Sequence, residues 1–158
     1  MQKVVTHLWY ADKAEEAARF YVSLFPNSRL TSVTTMPTDT PSGPVGAVQV
    51  VEFVLDGQEF IALKAGPLDP FNHAISLVVN CETQAEIDRL WNGLSQGGAT
   101  ERCGWLKDRY GVSWQIVPAS LAAMMKDPDK ARAKRVADSM LKMVKLEIAT
   151  LQKAYDSK

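Results

Sequence analysis

One order of hydrophobic periods occurs twice in this chain, and it restricts the fold more than any other feature. A run with strand character leads directly into a run with helical period, and shorter strand-like runs follow. In the first occurrence, residues 3–10 are rich in β-branched and aromatic side chains and read as a strand. From Lys13 to Phe25, Ala14, Ala17, Ala18, Tyr21, Leu24 and Phe25 recur at helical spacing, with Asp12 placed to cap the start and Pro26-Asn27 to stop it. Residues 28–35 read as the next strand. Residues 37–46 hold Pro37, Pro41, Gly43, Pro44 and Gly46, and are expected to be a mobile loop acting as a lid or a dimer-spanning arm. Two more strands, over 48–55 and 58–64, meet at Asp56-Gly57, a dipeptide that favours a tight primed turn.

Gly66-Pro67-Leu68-Asp69-Pro70 is a linker by composition, and the same order restarts behind it. Residues 74–80 read as a strand and 83–94 as a helix, with Ala85, Ile87, Leu90, Trp91 and Leu94 on its apolar stripe and Gly97-Gly98 at its end. Strands are expected at about 99–103, 105–108 and 112–117. Few identities link the halves, so the repeat rests on element order. After Pro118 the chain is helical in character, and Val136, Met140, Met143, Val144, Ile148 and Leu151 form a stripe along 130–155 suited to core or dimer contact. The expected fold is α+β: two βαβββ modules, 1–65 and 72–118, forming a cupped mixed sheet, plus a helical extension over 119–158.

Eighteen basic residues balance eighteen acidic ones, so no global field attracts nucleic acid or an anionic membrane, and neither partner is expected. The first residues lack the apolar core of a signal peptide, and no apolar run approaches the roughly 20 residues of a membrane span. Cys81 and Cys103 lack a second pair at zinc-finger spacing, and read as two reduced, mostly buried thiols. A cytoplasmic address is expected.

Three segments carry a family resemblance: Leu8-Trp9-Tyr10-Ala11-Asp12 with Ala14-Glu15-Glu16-Ala17 and Phe20-Tyr21, the run from Ala74 to Cys81, and the run from Cys103 to Gln115. Over about residues 3–118 the chain resembles the PhnB-like branch of the vicinal oxygen chelate superfamily, the group that holds glyoxalase I, extradiol dioxygenases and bleomycin-resistance proteins. The resemblance implies paired modules around a cavity, a homodimer and, in the enzymes of the group, a divalent metal such as nickel, zinc, manganese or iron. Members of the branch often carry the label 3-demethylubiquinone 3-methyltransferase. A typical methyl-donor nucleotide site needs a glycine-rich turn between strand and helix, and none of the nine glycines here forms a G-x-G, so methyl transfer is not expected.

Carried over residue by residue, the ligand pattern of the group points to His7, Glu52, His73 and Gln115. The family pattern D-x-x-G-x-x-x-E resembles Asp108 to Gln115 and places Gln115 where relatives carry Glu; its amide can bind a divalent ion through oxygen but adds no charge. Glu52 lies in an otherwise apolar strand, where a carboxylate must be paired, exposed or metal-bound. Counting back from Phe20 selects Thr6 beside His7, and counting from Val79-Asn80 selects Ala74 beside His73; a slip of one residue reverses the face, so both registers stay open. Without metal, Trp105, Lys107, Arg109 and Trp114, with Tyr110 among them, form a grouping able to stack on an aromatic ring and pair with a carboxylate or phosphate. The other reading of that group is tryptophans in the core and solvated charges. Two functions follow: a small-molecule-binding dimer, or a metal-dependent enzyme of the glyoxalase or dioxygenase type acting on vicinal oxygens of a small substrate.

Overall fold

The computed structural model describes residues 2–157, so Met1 and Lys158, which the domain reading includes at its ends, lie outside the described residues. The chain divides into two compact units, with the boundary between Pro70 and Phe71.

The first unit runs β1 (Thr6–Tyr10), α1 (Ala14–Leu24), β2 (Arg29–Thr35), β3 (Gln49–Leu55) and β4 (Gln58–Lys64). Its sheet has the order β1-β4-β3-β2. β1 pairs with β4 in parallel and the other pairs are antiparallel. The helix covers one face. Ala14, Ala17 and Ala18 are fully buried, and such small side chains let α1 lie close against the strands. Tyr21 then reaches down to Phe53, with ring centroids 6.4 Å apart, and its hydroxyl lies 3.2 Å from that of Tyr10. Phe53 stacks on Phe60 at 5.3 Å, which extends the core beneath the helix.

Asp12 does not cap α1. Lys13 takes the N-cap position with no side-chain cap, and Asp12 faces the Lys64 ammonium at 3.7 Å instead. Asp56 and Gly57 both adopt positive φ, 44° and 84°, as a type I′ hairpin turn requires. The segment expected to be mobile is a closed, hydrogen-bonded loop. Thr40 and Gly43 exchange backbone bonds at 2.9 and 3.1 Å, Gly46 N–H donates to the Met36 carbonyl at 3.0 Å, and Val45 N–H donates to the Asp39 carboxylate at 2.9 Å. Its prolines and glycines shape turns that bond to one another.

The second unit repeats the order with β5 (Leu77–Cys81), α2 (Gln84–Ser95), β6 (Ala99–Thr100), β7 (Trp105–Lys107) and β8 (Ser113–Pro118). The sheet order β5-β8-β7-β6, again with one parallel pair, matches the first unit strand for strand. The expected α+β duplication is therefore the fold. Thr83 caps α2 by accepting the Glu86 N–H at 3.2 Å, and the Glu86 carboxylate returns to the Glu82 N–H at 2.9 Å. β6 is shorter than expected because Cys103 and Gly104 form a second positive-φ turn, closed by a 3.1 Å bond from Trp105 N–H to the Arg102 carbonyl.

Three helices complete this unit: α3 (Leu121–Met125), α4 (Lys130–Met140) and α5 (Ile148–Asp156). The stripe along 130–155 is broken between α4 and α5. There Met143 and Val144 give their carbonyls to the N–H groups of Cys103 and Gly104, at 2.9 and 2.8 Å. Met124, Val136, Leu146 and Leu151 form the buried cluster, with Met140 and Met143 packed against it, so the methionines fill core as expected. The Gln84 amide holds the connecting segment from α2, donating to the Leu146 carbonyl at 3.1 Å and accepting from Ile148 N–H at 2.8 Å. Lys145 reaches Asp88 at 2.6 Å, and that ammonium holds the Asp88 carboxyl below its usual value.

Candidate functional site: the open sheet faces

Side chains alternate along a strand, so the helix that buries one face of a sheet leaves the other to carry function. In the first unit Leu8, Val51 and Ala62 belong to the face under α1 and are buried. Their strand neighbours His7, Glu52 and Ile61 therefore share the open face. The register aligns them in one row, His7 opposite Ile61, Ile61 opposite Glu52, and Glu52 opposite Ser32. Trp9, Leu63 and Val50 form an apolar row beside it, with the Trp9 indole N–H donating to the Gly66 carbonyl at 2.9 Å. Thr6 pairs with Phe60 and shares the helix side, so His7 is the member of that pair on the open face.

Glu52 is part-buried and its side chain carries no hydrogen bond or ion pair to any described residue. A concavity of about 340 Å³ opens beside it, lined by Glu52, Arg29, Thr31, Glu59 and the apolar side chains of Val5, Val54 and Ile61. Arg29 reaches it through its pairing with Val54, on the face of Glu52, and Thr31 is the extra residue of the bulge where β2 shifts register between Leu30 and Ser32. Nothing in the residue pattern of 28–35 announces that bulge. Glu59 was legible in principle: the Asp56-Gly57 turn fixes the hairpin register and sets Glu59 opposite Val54, on the Glu52 side.

In the second unit Leu106, Trp114 and Ile116 are buried on the α2 side. Trp105, Gln115 and Val78 form a row on the opposite face, and Lys107, paired with Ser113, lies on the same side. The Gln115 amide donates to the Ser76 hydroxyl at 2.9 Å. Ser113 Oγ is buried with no hydrogen-bond partner among the described residues. His73 precedes β5, which begins only at Leu77, so strand parity orients neither His73 nor Ala74. His73 Nε2 meets both Glu101 oxygens at 2.9 and 2.8 Å, and its ring lies 6.1 Å from that of Trp105.

Trp105, Lys107 and Gln115 thus come together, with His73 nearby, while the other two members of the aromatic and basic group stand elsewhere. Trp114, 2% exposed, donates its indole N–H to the Asp108 carboxylate at 2.9 Å inside the core. Arg109 bonds the Gln96 carbonyl at 3.2 Å, at the end of α2. Glu101, Ser76 and Ser113 are site residues that the sequence did not single out.

The candidate metal ligands do not assemble within either unit. His7 and Glu52 stand two strands apart, about 10 Å between Cα atoms, with the apolar Ile61 between them. His73 is occupied by Glu101 and the Gln115 amide by Ser76. Among the described residues no group of three or more His, Cys, Asp or Glu side chains could hold an ion. Within one unit these residues supply too few converging donors for a divalent-metal centre, which needs three or four. A cysteine nucleophile fares no better at Cys81, because burial pushes its thiol up to about 12.

Residues 2–117 match the family model described as 3-demethylubiquinone-9 3-methyltransferase. No curated protein sequence matches the chain. Among solved structures the chain is similar to a PhnB protein from Bacillus cereus, at 39% identity over 75% of this chain and 100% of that one, with a TM-score of 0.65. It shares its fold with the fosfomycin resistance protein FosX from Mesorhizobium loti, at 12% identity, 80% and 100% coverage and a TM-score of 0.57. A FosX variant from Listeria monocytogenes, solved with Mn(II) and 1S,2S-dihydroxypropylphosphonic acid, matches at 12% identity, 80% and 100% coverage and a TM-score of 0.54.

Proposed function

Because the chain belongs to the 3-demethylubiquinone-9 3-methyltransferase family, a PhnB-like branch of the vicinal oxygen chelate superfamily, we propose that it binds a small molecule on its open sheet faces without methyl transfer. The observation that carries this reading is Glu52. A part-buried carboxylate in an apolar strand, with no side-chain partner among the described residues and a concavity beside it, is available to a guest's cation or hydrogen-bond donor. Trp105, Lys107 and Gln115 supply a stacking surface, a cation and an amide on the equivalent face of the second sheet. Together they offer recognition chemistry for a small polar molecule with a flat or apolar body.

Methyl transfer finds no support in the local chain. The two strand-to-helix turns, Ala11-Asp12-Lys13 and Glu82-Thr83, contain no glycine to bring backbone against a nucleotide. The protein is further read as a homodimer in the cytoplasm. Ile75, 74% exposed just before the edge strand β5, offers a second copy an apolar contact.

A metal-dependent isomerase or dioxygenase is the competing reading, and metal analysis separates the two. Protein dialysed against nickel, zinc, manganese and iron(II) salts is expected to retain well under one equivalent of each, with Glu52→Ala unchanged. Stoichiometric metal that disappears in Glu52→Ala would overturn the metal-free account.

A further inference from the structure

The concavity of the first unit carries opposite charges that do not meet. Arg29 and Glu52 both line it, yet neither side chain has an ion pair or hydrogen bond to any described residue. Long side chains of opposite sign on neighbouring strands usually close on each other when their geometry allows. Here Arg29 is opposite Val54 and Glu52 is opposite Ser32, which staggers them along β2 and β3. Glu59, also opposite Val54, adds a second carboxylate on the far side, where the Gln2 N–H already donates to it. Between these charges lie the apolar side chains of Val5, Val54 and Ile61.

The geometry points to a zwitterionic guest, a small amino-acid-like molecule with an apolar side chain. Its carboxylate takes Arg29 in a forked, charge-assisted pair, its ammonium takes Glu52, and its hydrocarbon part covers Val54 and Ile61. A volume of about 340 Å³ lies at the small end of ligand pockets, which suits a guest of that size and not a nucleotide cofactor. A singly charged guest would leave one of the two facing charges without a partner. This inference rests on the open-face reading above and names the class of guest for one of the two faces.

The test is an amide proton–nitrogen NMR titration of the full chain with four related probes: L-leucine, isoamylamine, isocaproate and isoamyl alcohol. They share one branched hydrocarbon body and differ in carrying both charges, the amine alone, the acid alone, or neither. Leucine is expected to shift the amides of Arg29, Glu52, Val54 and Glu59, and to bind about tenfold tighter than either singly charged probe. Arg29→Gln should lower leucine to the level of isoamylamine, and Glu52→Gln should lower it to the level of isocaproate. If the alcohol shifts those amides as well as leucine does, the zwitterion is overturned and the guest-binding face stands. If all four leave these amides unmoved, the first unit's face fails as a binding surface and the inference falls with it.

Discussion

Gly98→Ala is expected to destabilise the second module severely. A Cβ added at Gly98 would sit 2.0 Å from the Lys107 carbonyl oxygen and 2.8 and 2.9 Å from two Asp108 backbone atoms. All three are backbone, and two belong to the segment that leaves β7, so no side-chain rotation relieves the clash. Either the end of α2 separates from this strand or the pairing of Ala99 with Lys107 is lost. The loss should reach about 4 kcal/mol, at the upper end for a single substitution. Gly57→Ala is the control: with φ at 84° and open space around it, it should cost only about 1–2 kcal/mol through backbone conformation. Urea unfolding of the three proteins measures both values. A Gly98→Ala variant within 1 kcal/mol of wild type would show that the close approach is misplaced.

Asp108→Ala is expected to be nearly as damaging. Asp108 is 2% exposed, and one carboxylate oxygen accepts the N–H groups of Tyr110 and Val112 at 2.8 and 3.0 Å while the other accepts the Trp114 indole at 2.9 Å. Alanine strands three donors, at roughly 1–3 kcal/mol for each buried group left unsatisfied, so a total near 4 kcal/mol is expected after partial relaxation. Asparagine separates the parts. Its oxygen can keep the two backbone donors while its NH₂ meets the indole donor, so about half of the loss should remain, with Trp114 fluorescence changed. If Asp108→Asn and Asp108→Ala are equally damaging, the backbone bonds are not what this carboxylate supplies. The Asp108 to Gln115 pattern that carried the family resemblance therefore has a folding role at its first position, where Asp108 shapes the turn that leads into β8.

The duplicated order of elements was legible because each signal is local. Ala14, Ala17 and Ala18 mark one helix face, Asp56-Gly57 marks a primed turn, and Gly97-Gly98 marks a helix end. Orientation was harder to read. Trp105 and Trp114 are close in sequence and rich in the same chemistry, yet the β7–β8 register puts them on opposite faces. Counting back from Phe20 selected Thr6, whereas the pairing of β1 with β4 puts His7 on the open face. The break between α4 and α5 was hidden for a different reason. Met143 and Val144 keep the stripe apolar, and non-local bonds to Cys103, Gly104 and Gln84 hold that stretch out of a helix. Likewise Thr31 entered the site at a bulge, which no residue type in β2 encodes.

The central claim is that the sheet faces opposite α1 and α2 receive a guest. Fragment-soaked crystals measure this directly. Bound density should fall beside the His7, Ile61 and Glu52 row or beside Trp105 and Gln115. Density confined to the outer surfaces of α1, α2 and the C-terminal helices, with both open faces bare, would contradict the account.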